Sequence, residues 1–407
     1  MKTTNSQQGN SIRDMEPGAP VRDGGIPLCV PEIHGNDWSY IKECLDTNFV
    51  SSVGPFVDRF ESELALRIGT KYAVATASGT AALHISLLVA GVQPGDEVIV
   101  STLTFIAPVN AIRYVGAWPV FIDAEPDFWQ MDPEKLNEFL VNDCHVVHGE
   151  LHNRSTGRRV RAIMPVHILG HPVDMDPVLD AAHRYGLPVI EDATESLGAE
   201  YKGKPTGHIG GIGCFSFNGN KIITTGGGGM LVTDNPDWAL KAKYLTTQAK
   251  DDAFEFIHNE VGFNYRLTNI QAALGCAQLE QLDDNINSKR RIADTYRAGL
   301  TGTLGVTLMK EADWAFSIFW MYTILVDPVR SGMDSRGLMR RLAEQNIQAR
   351  PLWQPAHLSP AHRGAYAVNC SNAERLNQQA VSLPSSVGLK HLEQERVINT
   401  ILKKGVD

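Results

Sequence analysis

A chain of 407 residues is long for one core and suits a large domain plus a smaller one. Its net charge of −9 argues against nonspecific nucleic-acid binding, so an anionic ligand must be met by local donors. The composition (43% hydrophobic, 20% charged) is that of an ordinary soluble protein, and no run reaches the ~18–20 apolar residues of a membrane span. Six scattered cysteines without a Cys-x-x-Cys pair fit reduced thiols. Residues 1–24 are polar and lack the apolar core of a signal peptide. The cytoplasm is therefore the expected site of action, with neither nucleic acid nor membrane as partner.

The alternation of elements sets the fold class. After residues 1–24, which read as a flexible start, helices are predicted over 36–47 and 56–69. Strand 72–76, helix 79–90, strand 97–101, helix 105–115 and strand 118–122 follow. Helix 132–140, strand 161–166, helix 174–185 and strand 187–191 continue the pattern. Apolar strands separated by amphipathic helices imply an α/β fold with a mainly parallel sheet covered on both faces. Strands near 212–217 and 229–233 complete that sheet, and 268–299 reads as one long helical stretch capped by Thr268. A large domain is expected over 25–309 and a smaller one over 310–407. The smaller carries strand 319–326, helix 334–346, a Pro/Trp/His segment at 350–360 and a closing helix near 390–404.

Chemistry concentrates at the ends of the predicted strands. Lys221 closes Cys214-Phe215-Ser216-Phe217-Asn218-Gly219-Asn220-Lys221 and precedes the run Gly226-Gly227-Gly228-Gly229. A lysine there is poorly placed for a solvated role, and desolvation makes its amine a usable nucleophile toward a carbonyl. A Schiff base with pyridoxal phosphate (PLP) needs such an amine. It also needs a carboxylate against the pyridine nitrogen, which keeps the ring an effective electron sink. Asp192, closing Leu187-Pro188-Val189-Ile190-Glu191-Asp192, fits that role, with a helix cap as the plainer alternative. Ser78-Gly79-Thr80 lies where a strand turns into a helix, and the amides and hydroxyls of such a terminus suit a phosphate.

Other residues carry two readings each. The four glycines either bring backbone close to a ligand or satisfy φ > 0 in a tight connection; they do not form a Rossmann fingerprint. Glu195 either orients a ligand or a water, or lies on a solvated helix face. Arg350, Trp353 and His357 either contact a substrate, the arginine as a phosphate partner and the tryptophan as an apolar platform, or pack between domains. His167 and His171 have an i, i+4 spacing, but the flanking prolines oppose a helix and no carboxylate completes a ligand set, so no metal is expected.

Taken together, Ser78-Gly79-Thr80-Ala81-Ala82, Glu191-Asp192-Ala193, Ser216 five residues before Lys221, and Asn264-Tyr265-Arg266 resemble the PLP-dependent nucleotide-sugar aminotransferases of the DegT/DnrJ/StrS family. The likeness spans roughly residues 25–405 and implies the fold-type-I aminotransferase architecture. It implies that Lys221 forms the Schiff base, that Asp192 holds the pyridine nitrogen, and that Phe105 stacks on the ring. It assigns the phosphate to Ser216 and the Ser78-Gly79-Thr80 turn. Asn264 is implied to reach the phosphate of the neighbouring subunit, hence a homodimer with shared active sites. L-Glutamate is the implied amino donor, and a nucleotide-linked 4-keto-6-deoxy sugar the acceptor.

More narrowly, Phe49-Val50-Ser51-Ser52-Val53-Gly54 and the segments from Glu191 to Gly198, Ser216 to Gly229, Leu245 to Lys250 and Arg350 to Leu358 resemble the branch that aminates UDP-linked 4-keto-6-deoxy sugars, as in legionaminic acid and related pathways. Many members carry His or Gln where Glu195 stands, and Gly-Glu-Gly-Gly where this chain has four glycines; both departures recur in that branch. The stretch from Cys144 to Arg159 looks like an insertion. Two rivals are a PLP-dependent sugar dehydratase, whose relatives replace the lysine by histidine, and a noncatalytic ligand sensor, which would have lost cofactor residues. A generic amino-acid aminotransferase would need a dedicated arginine for a second carboxylate.

Overall fold

The computed structural model describes residues 24–252 and 254–402. Apart from Gly24, the expected flexible start lies outside the described residues, as does the end of the closing helix.

Eight short strands build the main sheet: β1 (Tyr72–Thr76), β2 (Glu97–Ser101), β3 (Trp118–Ile122), β4 (Val160–Met164), β5 (Ile190–Asp192), β6 (Ile212–Ser216), β7 (Gly229–Thr233) and β8 (Tyr366–Val368). One half pairs in the order β1-β7-β6-β5 and the other in the order β8-β3-β2-β4. The bridges Ile163–Val189 and Val166–Asp192 join the halves in parallel sense. Within these pairings β7 alone runs against its neighbours, so the sheet is mainly parallel. Its two faces are both dry. Val98, Val100 and Phe121 enter one apolar cluster, while Ile99, Val120 and Ile122 enter the other, the alternation a pleated strand imposes.

Three departures from the sequence reading have local causes. The helical stretch after Thr268 is two helices, Asn269–Leu279 and Leu282–Leu300, broken at Gln281 (φ −107°, ψ 2°). Asp283 and Asp284 then stand in the first turn of the second helix, where carboxylates suit the positive end of the dipole. Thr268 caps the first as expected, in a capping box with Gln271. The strand expected over 319–326 is only Thr323–Val326, because Phe319 adopts φ 46° and turns the preceding residues out of extended geometry. The stretch 144–159 contains a hairpin, Cys144–Val147 with Glu150–Asn153, turned by His148 (φ 50°) and Gly149 (φ 84°). Asn153 and Thr156 donate to the Glu97 carboxylate, at 2.9 and 2.8 Å. Glu97 opens β2, so the insertion docks at the amino end of the parallel strands.

A second, antiparallel sheet pairs Val306–Leu308, Thr323–Val326 and Ala380–Ser382. The chain beyond 310 does not stay with it: β8 returns to the edge of the main sheet against β3. Among the described residues no helix is long and apolar enough to cross a membrane.

Candidate active site

The carboxyl ends of the parallel strands meet at one cavity of about 440 Å³, a size that suits a small-molecule site. Ser78, Gly79 and Thr80 follow β1, Thr104 and Phe105 follow β2, and Val166 follows β4. Asp192 and Ser216 close β5 and β6, Lys221 follows, and Gly227 and Gly228 lead into β7. This is where α/β sheets collect ligands, because loops leaving adjacent strands diverge there.

Asp192 is fixed by its own backbone. Its N–H donates to Pro165 O at 2.9 Å and its carbonyl accepts from His167 N–H at 3.0 Å. Thr194 N–H donates to Oδ1 at 3.1 Å. No helix starts there, so Asp192 is not a cap. Burial pushes its carboxyl above the ordinary range, while Thr194, Lys221 and His167 pull it back. His167 sits beneath, with Nδ1 accepting from Val173 N–H at 3.0 Å. That leaves Nε2 to donate to Glu191 at 2.9 Å. The Glu191 carboxylate also accepts from the amides of Gly207, Ile209 and Gly210. His171 accepts from Ala312 N–H at 3.1 Å through Nε2, and burial pushes it down to about 4. The two histidines thus serve internal bonds in the loop after β4.

Lys221 presents its amine 3.5 Å from Glu195 Oε1 and 4.4 Å from the centre of the Trp320 ring. Glu195 is 5% exposed, which removes the solvated-face reading. Its other oxygen accepts from Leu169 N–H at 3.0 Å. Burial raises the Glu195 carboxyl, and the nearby Lys221 charge opposes that rise.

Ser78 caps the helix Gly79–Val89 by accepting from Ala81 N–H at 3.1 Å, and the first helical residues, Gly79 and Thr80, line the cavity. Gly79 is required by packing: a Cβ there would lie 2.7 Å from Ser216 Cβ. Gly226 (φ 77°) and Gly228 (φ 150°) need glycine for backbone reasons. Gly229 needs it because a Cβ would meet Ser78 C at 2.5 Å. Both readings of the glycine run therefore hold, at different positions. The donor set fits PLP: an amine, a buried carboxylate, and a serine–helix-terminus cradle share one cavity with an exposed aromatic, Phe105.

Trp353 joins the cavity wall, whereas Arg350 and His357 are not among its lining residues. His357 is engaged on both nitrogens, Nδ1 with Thr102 Oγ1 at 2.8 Å and Nε2 with Glu374 Oε1 at 3.2 Å. The backbone of Arg350 pairs with Ser382. Asn264 is exposed and lies outside the cavity of its own chain, its backbone bridged to Thr247. Trp320 also lines the cavity. It lies 100 positions from Asn220, to whose carbonyl its Nε1–H donates at 2.8 Å, and nothing local marks it.

The DegT/DnrJ/EryC1/StrS aminotransferase family model matches residues 31–402. The putative pyridoxal phosphate-dependent aminotransferase EpsN of Bacillus subtilis is 41% identical over 93% of this chain and 95% of its own length. The GDP-perosamine synthase of Caulobacter vibrioides is 40% identical over 92% of this chain and 96% of its own. The crystal structure of DesV from S. venezuelae superposes with a TM-score of 0.81 at 30% identity, covering 90% of this chain and 93% of that one. With the family matched across nearly the whole chain and Lys221, Asp192 and the Ser78–Thr80 turn gathered in one cavity, the protein belongs to the DegT/DnrJ/EryC1/StrS aminotransferases and is a PLP-dependent sugar aminotransferase.

Proposed function

We propose that this enzyme transfers the amino group of L-glutamate to C4 of a nucleotide-linked 4-keto-6-deoxy sugar, supplying surface-polysaccharide or nonulosonic-acid synthesis. The observation that carries the reading is the convergence of Lys221, Asp192 and the Ser78–Thr80 turn on one cavity. Bound PLP supplies an electron sink that makes the carbon next to the transferred nitrogen acidic. Lys221 would hold the cofactor through its amine, and that amine, when free, would take a proton from the donor's α-carbon and return one at the acceptor. Glu195, within 3.5 Å, balances the amine when it is charged. Asp192 would accept from the pyridine N–H, and a cation there would offset the burial that otherwise favours its protonated form. Ser78, Gly79, Thr80 and Ser216, which line the cavity, would hold the phosphate, Phe105 would cover one ring face, and Trp353 would offer an apolar wall to the sugar nucleotide. The exposed Asn264 is assigned to the site of a second copy, in a homodimer.

The nucleotide is UDP on the sequence segments that resemble the UDP-sugar branch, whereas a relative at 40% identity is named for a GDP sugar. The test converts the purified enzyme to the amino form of its cofactor and follows absorbance while UDP- and GDP-linked 4-keto-6-deoxy sugars are added separately. Return of the Lys221-bound band with the UDP sugar alone is the expected result. Return with the GDP sugar alone would keep the reaction and overturn the nucleotide. No return with either would overturn the UDP- or GDP-linked 4-keto-6-deoxy sugar as acceptor.

A further inference from the structure

Lys289 lies in the helix Leu282–Leu300 at 1% exposure. Its ammonium has three acceptors, none of them a carboxylate: Trp320 O at 2.9 Å, Cys29 Sγ at 3.5 Å and Ser385 O. Burying a charge among neutral acceptors is costly, and an apolar side chain of the same length would serve the core better. The use of the charge shows in what its partners do next. Trp320 Nε1–H donates to Asn220 O at 2.8 Å, and the Cys29 thiol donates to the same oxygen at 3.3 Å. That carbonyl belongs to the peptide bond that leads into Lys221. The Trp320 ring carries the Lys221 amine on its face, 4.4 Å from the centroid. The bonds form a closed circuit, from Lys289 through Trp320 and Cys29 to the Asn220 carbonyl.

We propose that Lys289 is a positioning residue for the reaction at Lys221. By fixing both Trp320 and Cys29 it holds the Asn220–Lys221 peptide and the indole face on which the amine rests. The assignment rests on Lys221 being the reacting amine. Its physical content is geometric: a reacting group displaced by an ångström loses about 10²-fold in rate, and the Lys221 side chain has four rotatable bonds to misplace.

Lys289→Met keeps the stem and removes the three donors. In the holoenzyme, kcat is expected to fall about tenfold to hundredfold, while KM for the nucleotide sugar stays within about twofold. The pH midpoint of the Lys221-bound cofactor band is expected to move. A second readout needs neither cofactor nor substrate. Cys29 is the one half-buried cysteine beside five buried ones, so it dominates reaction with an aromatic disulfide reagent. Its rate is expected to rise about tenfold in Lys289→Met as the thiol loses its anchor, and to vanish in Cys29→Ser. Unchanged kcat and thiol rate would overturn the proposal. Should Lys289→Met fail to fold, Trp320→Phe and Cys29→Ser test the same circuit. Their kcat losses are expected to be less than multiplicative in the double variant, and independent losses would overturn it. A Lys221→Ala holoenzyme that keeps full turnover would instead sink the functional reading, leaving the thiol result standing.

Discussion

Asp192 and Trp353 face the same cavity, yet they are held there by different means. Asp192 is the last residue of a central strand, and hydrogen bonds to its own main chain and side chain fix it. Trp353 stands on a loop secured from outside, where Asn377 Nδ2 donates to the carbonyls of Leu352 and Trp353 at 2.8 and 3.0 Å. A few residues on, His357 ties the same loop to Thr102 and Glu374. The floor of the cavity is thus a property of the sheet, and the rim is a property of clamps between loops. Floor residues should govern chemistry, and rim residues should govern which substrate stays long enough to react.

The strongest way to break that division is Lys221→Ala. Turnover should fall by about 10³-fold or more, while apo-protein stability stays near wild type, since the amine's neighbours are a ring face and one carboxylate at 3.5 Å. Steady-state and single-turnover rates on the nucleotide sugar check it. Retained full transamination would remove Lys221 from the floor's chemistry.

Asp192→Asn comes next and has two readouts of opposite sign. The amide cannot keep the pyridine nitrogen protonated, so kcat should drop about 10²-fold. The apo protein should become more stable, because burial raises the Asp192 carboxyl. For an acid whose folded value is raised, the unfolded chain ionises first. Stability is therefore complete below the unfolded value near 4 and is lost as pH rises toward the folded one. Asparagine has no such loss. Melting temperatures of the two apo proteins should be close near pH 4 and should separate as pH approaches 7, with the variant higher. A constant gap across that range would mean that Asp192 is ionised at no cost in the empty site.

The rim is tested by a paired comparison. Trp353→Ala should raise KM for the nucleotide sugar about tenfold with a smaller change in kcat. His357→Ala should lower stability by about 1–2 kcal/mol through its two lost partners and change KM only a few-fold. Denaturant titration alongside kinetics separates the two. A KM effect at His357 equal to that at Trp353 would return the histidine to direct substrate contact.

The same division explains what the sequence disclosed. β1, β2 and β3 lie where their alternation with helices places them, and the floor residues Ser78, Asp192, Ser216 and Lys221 sit at strand ends that hydrophobic patterning marks. Glu195 had two readings because short-range pattern does not say whether a carboxylate after a strand is covered; Leu169 and Lys221 cover it, from segments 26 residues away on either side. Trp320 stayed hidden inside what reads as a strand, since its role depends on the positive φ of Phe319 and on a partner distant in sequence. Arg350 and His357 share a segment with Trp353, and spacing alone does not tell which of the three turns inward. The contrast is physical: strand ends are fixed by local periodicity, whereas rim contacts are fixed by long-range packing that one sequence does not encode locally.

The smallest expected effect lies at Gly227, and its size is informative because three of its neighbours are constrained. Gly226 and Gly228 have backbone angles that favour glycine, and Gly229 abuts Ser78. At Gly227 an added Cβ would meet only Gln271 Nε2, at 3.9 Å. Gly227→Ala should therefore leave stability within about 0.5 kcal/mol of wild type. Gly79→Ala, with Ser216 Cβ 2.7 Å from the new methyl, should lose cofactor affinity and melt earlier. Gly227 nevertheless lines the cavity, so a methyl there projects into space that the substrate shares or leaves free. A KM for the nucleotide sugar that rises in Gly227→Ala without a change in melting temperature would place the glycine connection on the rim side of the division. An unchanged KM would assign it to the floor, where its neighbours already stand for backbone reasons.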